Sequence, residues 1–160
     1  MPTKSSIFFT RSSKNPFLKP NPDVAWEKIA AFNPCVVKKD KQFHLLYRAM
    51  GRSEHFAQMP NFSTIAYAES NDGIDFIKHR QLIIPTETWE RFGCEDPRVT
   101  YLNKKYYIFY TALSEFPFVP SGIRIGMAIT KDFKEIIEKQ LITPFNAKAM
   151  ALFPEKINGQ

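Results

Sequence analysis

The sharpest chemical signal in this 160-residue chain is the hexapeptide Gly93-Cys94-Glu95-Asp96-Pro97-Arg98. Two adjacent acids, a proline and an arginine can place one carboxylate in a pocket while the guanidinium holds another group. The same residues also read as an Asp-Pro turn closed by a salt bridge, and the motif alone leaves both readings open. Other polar residues recur at matching places of a repeat. Asn33, Glu95-Asp96 and Glu155-Lys156 stand at the starts of units, and Tyr47-Arg48 and Tyr110-Thr111 at strand ends. The units therefore differ in polar identity where a shared pocket could be lined.

The repeat sets the elements that must position these residues. Pro34–Ala49 (PCVVKKDKQFHLLYRA) matches Pro97–Ala112 (PRVTYLNKKYYIFYTA) at an offset of 63 residues. Ile65–Asp72 then matches Ile125–Asp132 at an offset of 60, and Gln81–Pro85 matches Gln140–Pro144 at 59. A third unit opens at Phe153-Pro154-Glu155-Lys156. Each unit reads as four short strands: 35–38, 42–48, 64–69 and 80–84 in the first, then 98–102, 106–111, 123–130 and 139–143 in the second. Asn, Asp, Gly and Lys clusters separate them. Apolar residues alternate or run together and do not recur at three and four, so the chain reads as all-β. Ala25–Ala31 is the one stretch that suits a helical turn.

Four strands in about 60 residues is the size of a β-propeller blade. Residues 1–160 then form one incomplete propeller domain. A closing strand lies at about 15–20, blade 1 at about 33–85, blade 2 at about 96–144, and the start of blade 3 at about 153–160. That is roughly two and a half blades, whereas a closed ring needs at least about four. The expectation is a piece of a longer protein; the alternative is a homo-oligomer in which copies close the ring.

Composition narrows the partners. Hydrophobic residues make up 44% and charged residues 24%, as in a soluble globular domain. The net charge is +6. The lysines are dispersed, and the runs Lys38-Lys39-Asp40-Lys41 and Lys104-Lys105 fall at predicted hairpin turns, so no nucleic-acid partner is expected. No apolar run is long enough to span a bilayer, and no secretion signal is read, so no membrane partner is expected either. Cys35 and Cys94 form no Cys-x-x-Cys pair, which predicts reduced thiols, a cytoplasmic location and no metal site.

Phe32-Asn33-Pro34, Leu45–Ala49, Ser70–Ile74, Gly93–Arg98, Tyr110-Thr111-Ala112 and Leu152–Lys156 occur in one order. In that order the chain resembles glycoside hydrolase family 130, which contains mannoside phosphorylases and related β-mannosidases. The resemblance covers Asn15 to the end. It implies a five-bladed propeller with its site at the channel mouth, of which this chain supplies the front part. It implies that Asp96 is the general acid, its proton passing through a sugar hydroxyl. Asn33, Arg48, Asp72, Glu95 and Arg98 would contact sugar or brace the acid, and Arg48, Arg124 and Lys156 would hold phosphate. The implied reaction is inverting phosphorolysis of a β-mannoside to α-mannose 1-phosphate, with inorganic phosphate as co-substrate and no cofactor. Hydrolysis by the same family is the first alternative, and it needs a second carboxylate as base. A non-catalytic carbohydrate-binding or interaction module is another. A furanoside-cleaving propeller is disfavoured by the Cys-Glu-Asp-Pro-Arg and Phe-Pro-Glu-Lys motifs.

Several residues carry a plainer reading beside the functional one. Arg48 also suits a strand-end salt bridge, and Asp72 an Asx-turn before Gly73. Trp26 and Trp89 suit packing better than sugar stacking, and His44 and His79 suit packing or exposure. The apolar, Pro-rich loop Ser114–Gly122 reads as a wall of the substrate pocket or as a partner surface.

Overall fold

A computed structural model describes residues 9–52, 59 and 61–159. It contains β1 (Ala30–Lys39), β2 (Gln42–Gly51), β3 (Phe62–Ser70), β4 (Ile77–Ile83), β5 (Gly93–Leu102), β6 (Lys105–Leu113), β7 (Ile123–Thr130) and β8 (Glu138–Leu141). The strands form two four-stranded antiparallel sheets, ordered β1-β2-β3-β4 and β5-β6-β7-β8. The tight turns after β1 and β5 use Asp40 and Asn103-Lys104 with positive φ, as short hairpins require.

The sheets stack face to face. Tyr106, Ile108, Tyr110 and Ala112 of β6 share one core with Leu46, Ile65, Tyr67 and Ile83 of the first sheet. Their repeat counterparts on β2 include Leu45, Tyr47 and Ala49, on the far face of the first sheet. There Leu18, Trp26, Ala31 and Phe76 pack against them. The central strands are thus covered on both sides, which is why they read as apolar runs. β1 and β5 meet side by side, with the Val99 amide donating to Cys35 Sγ at 3.3 Å.

All eight predicted strands are present, but the first strand of each sheet starts earlier than expected. The prolines at 34 and 97 lie inside these strands, at bulges. β1 pairs with β2 at Ala30–Phe32 and resumes at Cys35; β5 pairs at Gly93–Glu95 and resumes at Arg98. Residues 15–20 form no strand: Phe17 stacks on Phe76 at 5.5 Å and Leu18 covers the sheet face. Residues 25–31 hold one turn, Glu27 N to Val24 O, before β1 begins, and residues 153–159 form no strand. The described sheets stack without closing into a ring.

Each sheet is pinned by a buried carboxylate just upstream of its first strand. The repeat extends back to Trp26-Glu27 and Trp89-Glu90, again 63 residues apart. Glu27 is 3% exposed and Glu90 is fully buried. Tyr47 donates to Glu27 Oε2, and Tyr110 to Glu90 Oε2 at 2.5 Å. Burial, with the neighbouring carboxylate, pushes both phenols far above their usual range, so both stay donors. Glu90 also takes the Thr86 amide at 2.9 Å and Lys139 Nζ at 2.5 Å. In the first sheet, His79 Nδ1 lies 2.9 Å from Tyr47 Oη. Trp89 stacks on Tyr110 at 6.2 Å, above Gly126, where a Cβ would come within 2.5 Å of the indole. Trp26 packs against the first sheet's face, so both tryptophans belong to packing. His44 is buried against Tyr67 and Phe133, and that burial lowers its pKa.

Glu90→Ala removes the carboxylate but leaves Lys139 part-buried; urea unfolding is expected to show a loss of about 3–5 kcal/mol. Tyr110→Phe removes one donor and is expected to cost about 1–3 kcal/mol.

Candidate active site at the two bulges

Asn33 and Asp96 sit at the bulges with φ of 49° and 52°, each directly before a proline. Asn and Asp tolerate this left-handed conformation better than other non-glycine residues. The bulge re-aims the side chain out of the regular pleat. As a result two repeat-related residues face each other: Asn33 Nδ2 donates to Asp96 Oδ1 at 2.7 Å.

Around this contact stand a second carboxylate and two cations. Glu95 is buried and accepts Arg48 Nη2 at 2.5 Å and Lys148 Nζ at 3.5 Å. Asp96 lies 3.7 Å from Arg48 Nη1, and its Oδ2 is 3.8 Å from Lys148 Nζ. Arg48 is fixed by Ser63 Oγ at 2.9 Å and lies over the Phe32 ring at 4.7 Å. The side chains of Arg48, Glu95 and Asp96 are 15%, 8% and 16% exposed, so their charges act with less water screening than surface pairs. The arrangement can present one carboxyl, Asp96, on a rim of fixed donors. Glu95 is occupied in holding the cations.

The structure brings together Asn33, Arg48, Glu95 and Asp96 from the expected set. Arg98 is exposed and donates to the Pro97 carbonyl at 2.7 Å. Arg124 opens β7 at the same sheet end as Asp96, through its partner Ala112, and donates to the Ile123 carbonyl at 3.1 Å. Lys156 is exposed, four residues past Leu152, whose carbonyl accepts the Thr100 hydroxyl at 2.9 Å. Asp72 follows β3, at the end of the sheet opposite Asn33. Its Oδ1 takes the Ile74 and Asp75 amides and the Ser70 hydroxyl, each at 2.8 Å. The Asx-turn therefore accounts for Asp72, and the structure does not bring it to the cluster.

Lys148 and Ser63 are the members that sequence reasoning missed. Lys148 precedes Ala149, which again has positive φ (63°), just as Glu95 precedes Asp96. The Ala147 amide to Ile123 carbonyl bond, 3.3 Å, leads the chain back to the cluster. Among the described residues, no three His, Cys, Asp or Glu side chains converge to hold a metal ion.

The amides of Asp75 and Ile74, with the Ser70 hydroxyl, hold the Asp72 carboxyl at about 2, below its ordinary 3.8. A depressed carboxylate stabilises the fold above its unfolded pKa, and that contribution disappears as pH falls through the folded value. Stability should be level above about pH 4 and decline towards pH 2. Asp72→Asn should remove part of that decline in an acid unfolding series, without altering sugar or phosphate affinity.

Residues 9–160 match glycoside hydrolase family 130, described as beta-1,4-mannooligosaccharide phosphorylase. A beta-1,2-mannobiose phosphorylase of Thermoanaerobacter sp. (strain X514) is 36% identical over 161 residues, covering 94% of this chain and 52% of that protein. A 1,2-beta-oligomannan phosphorylase of the same organism is 33% identical over 155 residues, covering 96% and 52%. The chain spans about half the length of these curated relatives. A solved structure superposes with a TM-score of 0.66 at 26% identity, covering 88% of this chain and 42% of that one. It is described as showing that the GH130 family of mannoside phosphorylases contains glycoside hydrolases that target beta-1,2 mannosidic linkages in Candida mannan. By the match along nearly its whole length and by these relatives, the chain belongs to glycoside hydrolase family 130.

Proposed function

We propose that this chain carries the acid half of a site for inverting phosphorolysis of β-1,2-linked mannosides, with inorganic phosphate as co-substrate and α-mannose 1-phosphate as product. The observation that carries the reading is the set of contacts around Asp96. Asn33 fixes one of its oxygens, while Arg48 and Lys148 flank it and are themselves held by Glu95. Inverting hydrolysis needs a second carboxylate, roughly 6.5–9.5 Å from the acid, to activate water. Glu95, the other carboxylate of the cluster, is buried and ion-paired at 2.5 Å, which does not suit a base. Phosphate needs no such base; it needs cations to hold it. Arg48 and Lys148 supply two, and Arg124, at the same sheet end, is a further candidate. Arg98 and Lys156, both exposed, are the remaining cations of the expected set.

The β-1,2 linkage follows the two relatives, which are named for it. The sheet stacking supports a five-bladed ring with the Asn33–Asp96 contact at the mouth of its channel. Asp96 would protonate the departing sugar through a hydroxyl of the substrate, while phosphate, held by the cations, attacks the anomeric carbon from the opposite face.

Asp96→Asn retains the left-handed backbone and a polar side chain but cannot give a proton. It is expected to lower kcat by roughly 10²–10⁴-fold with unchanged circular dichroism. Lys148→Ala is expected to raise the KM for phosphate more than the KM for mannoside. A fully active Asp96→Asn variant would overturn the acid assignment.

A further inference from the structure

A cavity of about 680 Å³ opens beside the far face of the first sheet, and Phe17, Trp26, Phe76, Glu27 and His79 are among its lining residues. Glu27 is 3% exposed. Its Oε2 accepts the Tyr47 hydroxyl. Its Oε1 has no hydrogen-bond or ion-pair partner among the described residues. That oxygen is not sealed in the core either: among the described residues, Thr111 Oγ1 is the fully enclosed side-chain polar atom that lacks a partner. Oε1 therefore opens on the cavity. A carboxylate this buried is costly without a cation beside it.

The second repeat shows how the same oxygen is completed. Glu90, the counterpart of Glu27, has Lys139 Nζ 2.5 Å from its Oε1 and the Thr86 amide at 2.9 Å. Lys139 pairs with Ala128 in the β7–β8 ladder. The matching Ala68 falls at an irregularity of the first sheet, between the pairs Tyr67–Arg80 and Glu69–Ile77. The place of Lys139 thus goes to Lys78 and His79. Lys78 is drawn off to Glu69, and His79 Nδ1 lies 2.9 Å from Tyr47 Oη instead of meeting the carboxylate. The lysines of the cavity wall leave Oε1 open too. Lys14 is paired with Asp75 at 2.7 Å, and Lys19 makes no ion pair among the described residues.

We infer that this cavity is a binding site for a primary ammonium on an aliphatic stem. The charge completes Glu27 Oε1 as Lys139 completes Glu90 Oε1. Phe17 and Phe76, with ring centroids 5.5 Å apart, and Trp26 offer apolar faces to the stem and π faces to the charge. The ammonium belongs to a free alkylamine or to a lysine side chain of a second copy, and the carboxylate recognises the same group in both. The site is separate from the Asn33–Asp96 cluster and does not depend on the mannoside reading.

The test is calorimetric titration of the full chain with n-pentylammonium chloride, with 1-pentanol as the neutral probe of similar length. The expected result is one ammonium bound per chain, at least about ten-fold more tightly than the alcohol, with the difference lost in Glu27→Gln. His79→Lys copies the second repeat at an exposed position. It is expected to fill Oε1 from within and to weaken pentylammonium binding at least about ten-fold. If Glu27→Gln does not fold, the alcohol comparison and His79→Lys still decide. No binding by the wild-type chain, equal affinity for the alcohol, or wild-type affinity in His79→Lys would overturn the site. So would binding that appears only in Lys19→Gln, which would assign Oε1 to the chain's own lysine. Sedimentation separates the two sources. An oligomeric state that the probe leaves unchanged supports a free amine, and a self-associated chain that the probe dissociates supports a lysine of a second copy.

Discussion

A left-handed residue in front of a proline, placed inside a strand, is the constraint on which the site depends. At Asn33 and Asp96 the ladder slips, the pleat is broken, and the side chain swings toward the neighbouring sheet. Without the bulge, each side chain would stay on the pleat of its own sheet, and the 2.7 Å contact between Asn33 and Asp96 would have no geometry. Such backbone states are held only when the surroundings over-determine them. Here the surroundings are the paired segments on both sides of each bulge and the prolines that follow.

What fixes those segments is the buried carboxylate ahead of each strand. Glu27 and Glu90 end the turns that lead into β1 and β5, and each is tied to a tyrosine in the middle of the second strand. The entry of the first strand is thereby locked to the core three residues before pairing begins. The repeat duplicates this frame and varies what it carries. At the position where the first sheet has Phe32 beside Arg48, the second has Glu95 beside Thr111. Arg48, lying on Phe32, reaches across to Glu95 and Asp96, so the site is built between the repeats rather than within either one.

Much of the frame was legible in the residues. Alternation, hairpin turns and the 63-residue offset led to eight strands in two similar units, and the Glu-Asp-Pro-Arg motif pointed to the cluster in which Asp96 lies. The strands start earlier than the prolines suggest because a bulge admits proline within a ladder. The Trp-Glu pairs carry the same 63-residue offset as the block from Pro34 to Ala49, which holds Tyr47, and its repeat, which holds Tyr110. Lys148 was not legible: it lies in an irregular stretch, Phe145–Ala149, and reaches the acids only through the path of the chain. Asp72 lies in one of the motifs that carry the resemblance and also builds a turn here. Short polar side chains before glycine serve both purposes, and sequence alone does not separate them.

The central claim is that Asp96 works with cations to break a mannoside with phosphate rather than with water. The most direct measurement is phosphorus and proton NMR of β-1,2-mannobiose incubated with the full chain, with and without inorganic phosphate. The account predicts α-mannose 1-phosphate and free mannose when phosphate is present, and intact disaccharide when it is absent. Equal release of free mannose in both samples, with no sugar phosphate formed, would contradict it and point to a water-activating base elsewhere in the site.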